Sequence, residues 1–278
     1  MPADDTLTVA LVSDVFHGQG REERLARRLA EARGLGADLV LLPELPLDPW
    51  VPATQLARDE DAEPPEGPRH RLLAQAAREA GVALIGGAIV RDPTSGRRHG
   101  TALVFDAQGH HLASYGKLHL PEEPGFWETS HYAPAELPPE PIAGLALSIG
   151  VQVCSDINRP EGSHLLGAQG VEAILAPRAT ELATYGRWRP VFIANALTSC
   201  AYVVSVNRPD PEQDVLIGGP SIVVDPGGKV LVETTERVAV VTLERSVVLA
   251  ARAAYPGYLP VRAQLYADAW RAVARRDG

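Results

Sequence analysis

Leu145-Ala-Leu-Ser-Ile-Gly-Val-Gln-Val-Cys154 is an apolar run that ends on a cysteine and breaks at once into the polar, turn-rich Ser155-Asp-Ile-Asn-Arg-Pro-Glu161. A short apolar run bounded by turn residues is the pattern of a strand buried on both faces, as in a sheet covered by helices. Working outward, a helix is expected near 161–169, a buried strand at 172–176, a helix at about 189–199 and a strand at 201–206. The front of the chain has the same order. Strand 7–13 leads to helix 21–33, closed by Gly34 and Gly36, then strand 38–42, helix 69–80 and strand 82–90. Each half ends in a hairpin pattern. One joins 101–105 to 112–115 across Asp106-Ala-Gln-Gly109, and the other runs over 221–232 across Asp225-Pro-Gly-Gly228, with 238–243 expected to pair beside it. Parallel and hairpin pairing with helices outside predicts an α/β protein, two sheets face to face in a four-layer α-β-β-α sandwich. No linker composition divides 1–278, so a single domain is expected, with an aromatic and arginine-rich tail from about 250.

Composition narrows the function. The chain has 278 residues, 45% of them hydrophobic, enough to bury a sizeable core. Its 35 acidic against 26 basic residues give a net charge of −9, which argues against nucleic acid as a partner. Cys154 and Cys200 are the only cysteines and imply no disulfide framework. The N-terminus lacks a signal-peptide pattern, and no apolar run reaches the roughly 20 residues of a membrane helix. A cytoplasmic protein is therefore expected. The eight histidines show no ligand-like spacing, so no metal is predicted.

Three residues at or just past strand ends could carry chemistry. Cys154 stands where a strand gives way to a loop, a place where a thiol can be partly exposed near backbone N–H groups. Cys200 lies in an apolar stretch and reads as core. Lys117, in Ser114-Tyr-Gly-Lys-Leu-His-Leu-Pro121, is one of only two lysines against 24 arginines. A compact cation beside a cysteine favours thiolate and can hold a developing oxyanion. Glu44 closes the apolar Ala37-Asp-Leu-Val-Leu-Leu-Pro-Glu44. A carboxylate among apolar walls is suited to exchange protons near neutral pH. Each is ordinary alone: a core cysteine, a surface lysine, a turn acid. Strand ends of an α/β sheet converge on one crevice, and together they make an activated nucleophile with a base and an orienting cation. The proline- and acid-rich stretch 121–143, directly after Lys117, is expected to form a lid or pocket wall.

Leu41-Leu-Pro-Glu44, Gly116-Lys-Leu-His-Leu-Pro121 and Cys154-Ser-Asp-Ile-Asn-Arg-Pro-Glu161 resemble the three signatures of the nitrilase superfamily of carbon–nitrogen hydrolases. The likeness continues through 166–177, Ser205-Val-Asn-Arg208 and 219–228. It implies the α-β-β-α sandwich, a Glu44–Lys117–Cys154 triad, no cofactor, and a homodimer or larger homo-oligomer with the tail from about 250 in its contacts. It also implies an oxyanion held by Lys117 and the Ser155 N–H, and a thioester on Cys154 hydrolysed by water. Pro124-Gly-Phe-Trp-Glu128 is similar to a segment of N-carbamoylputrescine amidohydrolases and related amidases, where Glu128 would orient Lys117 and substrate; otherwise it is a solvated loop acid. Ser155 and Arg159 replace aromatics common in relatives, and Thr129 replaces a lysine. Asp156 leans towards amidases over nitrilases. His119 and Glu161 are expected to pin the two loops. Arg178 is either a pocket residue for a substrate carboxylate or a surface arginine, whereas Glu122, Glu123 and Glu128 would suit a cationic amine. The expected activity is hydrolysis of a small linear amide or N-carbamoyl compound. The alternatives are a nitrilase, an amide-forming acyltransferase, or a non-catalytic ligand-binding relative.

Overall fold

A computed structural model describes residues 5–255, 259 and 261–275. The two ends of the expected 1–278 domain and part of the tail, residues 1–4, 256–258, 260 and 276–278, lie outside the described residues. The first sheet contains β1 (Thr6–Val12), β2 (Leu39–Leu41), β3 (Ala62–Glu63), β4 (Ala83–Arg91), β5 (Arg98–Phe105), β6 (His111–Gly116) and β14 (Val238–Glu244). Its order is β14-β1-β2-β4-β5-β6, with β3 beside β4. The second holds β9 (Ile149–Val151), β10 (Ala173–Arg178), β11 (Tyr202–Asn207), β12 (Ser221–Val224) and β13 (Val230–Thr234), in the order β13-β12-β11-β10-β9. A two-stranded hairpin, β7 (Glu122–Glu123) with β8 (Phe126–Trp127), lies in the stretch expected to wall the pocket.

Side-chain alternation builds the layers, because successive residues of a strand face opposite ways. On β1, Leu7, Val9 and Leu11 enter a core between the sheets, which receives Ala173 and Leu175 of β10 from the other side. Ala10 and Val12 face outward, against Leu25 and Leu29 of α1 (Arg21–Gly34) and Leu73 and Ala77 of α2 (Pro68–Ala80). Ile174 and Ala176 of β10 face Leu166 of α3 (Pro160–Ala168) and Phe192 and Ala196 of α4 (Tyr185–Ser199). The result is the expected α-β-β-α sandwich, with the inner strands β2, β10, β11 and β12 buried on both faces. Fully burying one such aliphatic side chain is worth about 1.5–3 kcal/mol, which is why these strands are mainly apolar.

One pairing corrects the sequence reading. Residues 238–243 do not extend the second hairpin; they form β14, antiparallel to β1 in the first sheet, from Thr6 opposite Glu244 to Val12 opposite Val238. This register covers the otherwise open edge of β1. It also sets Val238 and Val240 against the α1–α2 layer and Leu243 into the core between the sheets. The tail then forms α5 (Arg245–Ala254) and α6 (Ala263–Ala274). No residue of α6 is buried, and Leu265, Tyr266, Trp270 and Val273 are exposed. Among the described residues no helix is long and apolar enough to cross a membrane.

Candidate active site

The topology puts the three candidate residues at one end of the sandwich. β2 and β4 are parallel, and two antiparallel steps, β4 to β5 to β6, make β6 run the same way as β2. Glu44 follows β2 through Leu42 and Pro43, and Lys117 is the first residue after β6. On the facing sheet β9, β10 and β11 are parallel, and Cys154 stands just past β9 at the head of a 3₁₀ turn, Cys154–Asn158. Two backbone elbows aim these side chains. Cys154 has φ 50° and Leu45, next to Glu44, has φ 47°. Non-glycine residues enter this left-handed region at a cost and persist there when surrounding contacts over-determine them.

Lys117 Nζ donates to Glu44 Oε1 at 2.8 Å and to Glu128 Oε1 at 2.6 Å. All three are sealed: Lys117 and Glu128 are 0% exposed and Glu44 4%. Glu128 is therefore no solvated loop acid; the lid stretch delivers it to the bottom of the site. Each carboxylate spends one oxygen on the ammonium, and Glu44 Oε2 and Glu128 Oε2 are left without a hydrogen-bond partner. Cys154, 3% exposed, lies within electrostatic reach of Glu44, Lys117 and Glu128, and its Sγ donates to the Ala179 carbonyl at 3.5 Å. Tyr132 is buried beside Glu128 in an apolar wall with Leu45, Trp50, Phe126 and Ala179.

The charges set one another. Burial works against the Lys117 ammonium, but Glu128 and Glu44 outweigh it and hold the lysine well above its ordinary value. Burial, with Glu44 beside it, pushes Glu128 up to about 8 against the pull of Lys117. Burial and Glu44 also push the Cys154 thiol up, with Lys117 opposing them. Cys154 thus rests as a neutral thiol beside unpartnered carboxylate oxygens, and a thiol in that state would need a base in order to attack.

A hub joins the loops. Asp156, 1% exposed, accepts from Tyr115 Oη at 2.8 Å, from the His119 N–H at 2.9 Å and from the Leu118 N–H at 3.2 Å, and its Oδ1 lies 2.8 Å from His119 Nδ1. The Ser155 hydroxyl donates to the His119 carbonyl. The cysteine turn and the lysine loop are thereby locked together. His119 pins as expected, whereas Glu161 lies exposed in the first turn of α3. On the other side Arg208, fully buried, donates to the Glu44 and Leu45 carbonyls at 2.8 Å each, to the Asp48 carbonyl at 2.9 Å and to Glu212 at 2.6 and 2.8 Å, and it lies over the Trp50 ring. Trp50 Nε1 in turn donates to the Gly125 carbonyl at 2.8 Å, tying the glutamate loop to the lid stretch.

Arg178 corrects the sequence reading. It is not a surface residue but fully buried, and its guanidinium donates to Ser205 Oγ at 3.0 Å, to Thr180 Oγ1 and to the Pro220 carbonyl. Its nitrogens are held by the protein instead of being presented to a substrate carboxylate. Sequence reasoning gave no role to Tyr132 or Arg208 and read Asp156 only as an amidase marker. Arg208 sat in a quoted motif, but nothing in its neighbours foretold the clamp.

A family model described as carbon–nitrogen hydrolase matches residues 18–254. The chain is 28% identical over 266 residues to hydrolase C26A3.11 of Schizosaccharomyces pombe, covering 91% of this chain and 81% of that protein. It is 27% identical to omega-amidase NIT2-A of Xenopus laevis, over 91% of this chain and 92% of that one. The crystal structure of a carbon–nitrogen hydrolase from Helicobacter pylori G27 superposes with a TM-score of 0.84 at 21% identity, over 95% and 98% of the two chains.

Proposed function

The chain belongs to the carbon–nitrogen hydrolase family, and from that premise we propose that it hydrolyses a small linear amide or N-carbamoyl compound through a thioester on Cys154. One observation carries the reading: the Lys117 ammonium is bonded to both Glu44 and Glu128 in a sealed pocket that also holds Cys154. Similarity to an omega-amidase supports an amide substrate.

The steps follow from the geometry. Glu44 takes the thiol proton at its unpartnered Oε2 as Sγ attacks the carbonyl carbon. The oxyanion is held by Lys117 and by the Ser155 N–H, which lies at the start of the 3₁₀ turn, where N–H groups lack a partner within the turn. Collapse breaks the carbon–nitrogen bond, Glu44 returns the proton to the leaving nitrogen, and a thioester remains. Glu44 then takes a proton from water, the hydroxide attacks the thioester, and the acid leaves as Cys154 regains its proton. Glu128 fixes Lys117 throughout.

The test is ammonia release from a panel of N-carbamoylputrescine, N-carbamoyl amino acids, short ω-amides and short nitriles, with hydroxylamine added as an acyl acceptor. Cys154→Ala is assayed beside wild type, with circular dichroism on both. Release from an amide or carbamoyl compound, abolished in a folded Cys154→Ala, is the expected result. Ammonia from nitriles alone would establish a nitrilase. Undiminished turnover by the alanine variant would overturn the cysteine mechanism.

A further inference from the structure

The turn that follows Glu44 is held from two sides. Arg208, just past β11, grips its backbone at the Glu44, Leu45 and Asp48 carbonyls. On the other side stands an ion pair that the proposed reaction does not use. Arg69, at the start of α2, meets the Asp48 carboxylate with two nitrogens. Its Nε lies 2.9 Å from Oδ1 and 2.8 Å from Oδ2, and its Nη2 lies 2.6 Å from Oδ1. A forked charged pair of this kind fixes direction as well as distance. Arg69 is held in turn: Nη2 also donates to the Glu60 carbonyl at 3.0 Å, and its backbone N–H donates to Glu63 Oε2 at 2.7 Å. Asp48 and Glu63 are both buried.

The turn has little of its own to hold it. Leu45 sits at φ 47°, a conformation that persists only where surrounding contacts fix it. The bond that closes the turn, from the Asp48 N–H to the Leu45 carbonyl, is 3.3 Å, long for its kind. Leu45, Pro46 and Leu47 are apolar, so Asp48 carries the one charged side chain by which the turn can be anchored. The charged groups facing that carboxylate are Arg69, Arg208 and Asp61. Without Arg69 it would be a buried charge whose remaining cation is Arg208, the residue that holds the Glu44 carbonyl. Buried charges without a partner are costly. A carboxylate drawn towards Arg208 competes with Glu212 and with the Glu44 carbonyl for one guanidinium.

We propose that Asp48 and Arg69 are positioning residues for the reaction: the pair locks the Leu45–Asp48 turn from the α2 side, and so keeps Arg208 on the Glu44 carbonyl and the Glu44 carboxylate on Lys117. This rests on the amide-hydrolysis reading, with Glu44 as the base. Both residues act through Glu44 and not on substrate, so their loss belongs to kcat, with KM little changed.

The experiment measures kcat, KM and Tm for wild type, Asp48→Asn, Arg69→Gln, Arg69→Lys and the double variant Asp48→Asn/Arg69→Gln. The substrate is whichever amide or carbamoyl compound of the panel wild type turns over fastest. Arg245→Gln is the control: it breaks a pair with Glu172, 2.8 Å long, at the opposite end of the sandwich, so it lowers Tm and leaves kcat alone. We expect kcat of Arg69→Gln to fall about 10- to 100-fold at nearly constant KM, that of Arg69→Lys to fall less, and that of Asp48→Asn least. The double variant should be more active than Arg69→Gln and match Asp48→Asn, because its side chain at position 48 carries no charge to pull on Arg208. If the pair is only a staple, every variant assayed well below its Tm keeps the wild-type kcat, as the control does; that result overturns the proposal. A double variant no better than Arg69→Gln overturns it as well. Should Arg69→Gln not fold, Arg69→Lys decides: a lowered kcat at unchanged KM supports the proposal, and a wild-type kcat refutes it. A wild type silent on every amide and carbamoyl compound, or an active Cys154→Ala, would overturn the hydrolysis reading and the proposal with it, a separate failure seen before any variant of the pair is made.

Discussion

Glu128 shows what burial does to one carboxyl. It entered the sequence reading as a loop acid that could orient Lys117, and it is the most deeply buried acid of the site. Desolvation raises it to about 8, so on going up in pH the unfolded chain ionises here before the folded one does. Its contribution to stability is therefore complete below about 4.5, the ordinary value, and is lost as pH rises through about 8. Glu128→Gln has no such ionisation, and its Tm relative to wild type should improve steadily from about pH 5 to about pH 8. The same ionisation places a second negative charge beside Cys154 and opposes charge on sulfur. We expect kcat/KM of wild type to fall above about pH 8, and this alkaline limb to be missing from the Gln variant. The variant's plateau should sit about 10²-fold lower, because Lys117 loses one of the two groups that aim it. A limb that survives in Glu128→Gln would assign it to another group.

Elements, by contrast, were largely legible from the sequence. The alternating apolar runs gave both sheets and all four layers because strands buried on two faces leave no doubt about period or burial. Residues past the strand ends were legible for the same reason: Glu44, Lys117 and Cys154 follow from where the runs stop. Loop-to-loop bonding was not. Asp156 gathers its donors from β6 and the lysine loop, and Arg208 reaches back more than 160 positions to the Glu44 carbonyl; no local pattern encodes such a partner. The pairing of β14 failed to show for a related reason, since a strand that is apolar on both faces fits the edge of either sheet. Two substitutions test the elements. Arg208→Lys cannot span the same carbonyls, so it should cost about 1–3 kcal/mol and lower kcat roughly 10²-fold through a displaced Glu44, as denaturant titration and steady-state kinetics would show. Gly167 lies where α3 meets the end of α4, and a Cβ there would come within 2.3 Å of the Ser199 carbonyl oxygen. Gly167→Ala should destabilise by about 1–3 kcal/mol, visible as a lower Tm with KM unchanged.

At the scale of the whole molecule two features stand out. The first is α6, whose Leu265, Tyr266, Trp270 and Val273 have no cover among the described residues. We expect the chain to sediment as a homodimer or larger assembly, and Tyr266→Asp with Trp270→Asp to shift it towards monomer while the circular dichroism holds. The second is the closure of the first sheet by β14. Its seven paired positions join Thr6 to Glu244, the beginning of the chain to a segment made 238 residues later. At the usual pace of synthesis, 5–20 residues per second, β1 waits about 10–50 s for its partner. During that interval a nascent chain carries an apolar strand with an unpaired edge, the kind of surface that recruits other chains. The enzyme's exposure to misassembly is thus fixed by the order in which its strands are made, and a factor that shelters β1 until β14 has been made would serve it more than one that acts on the finished fold.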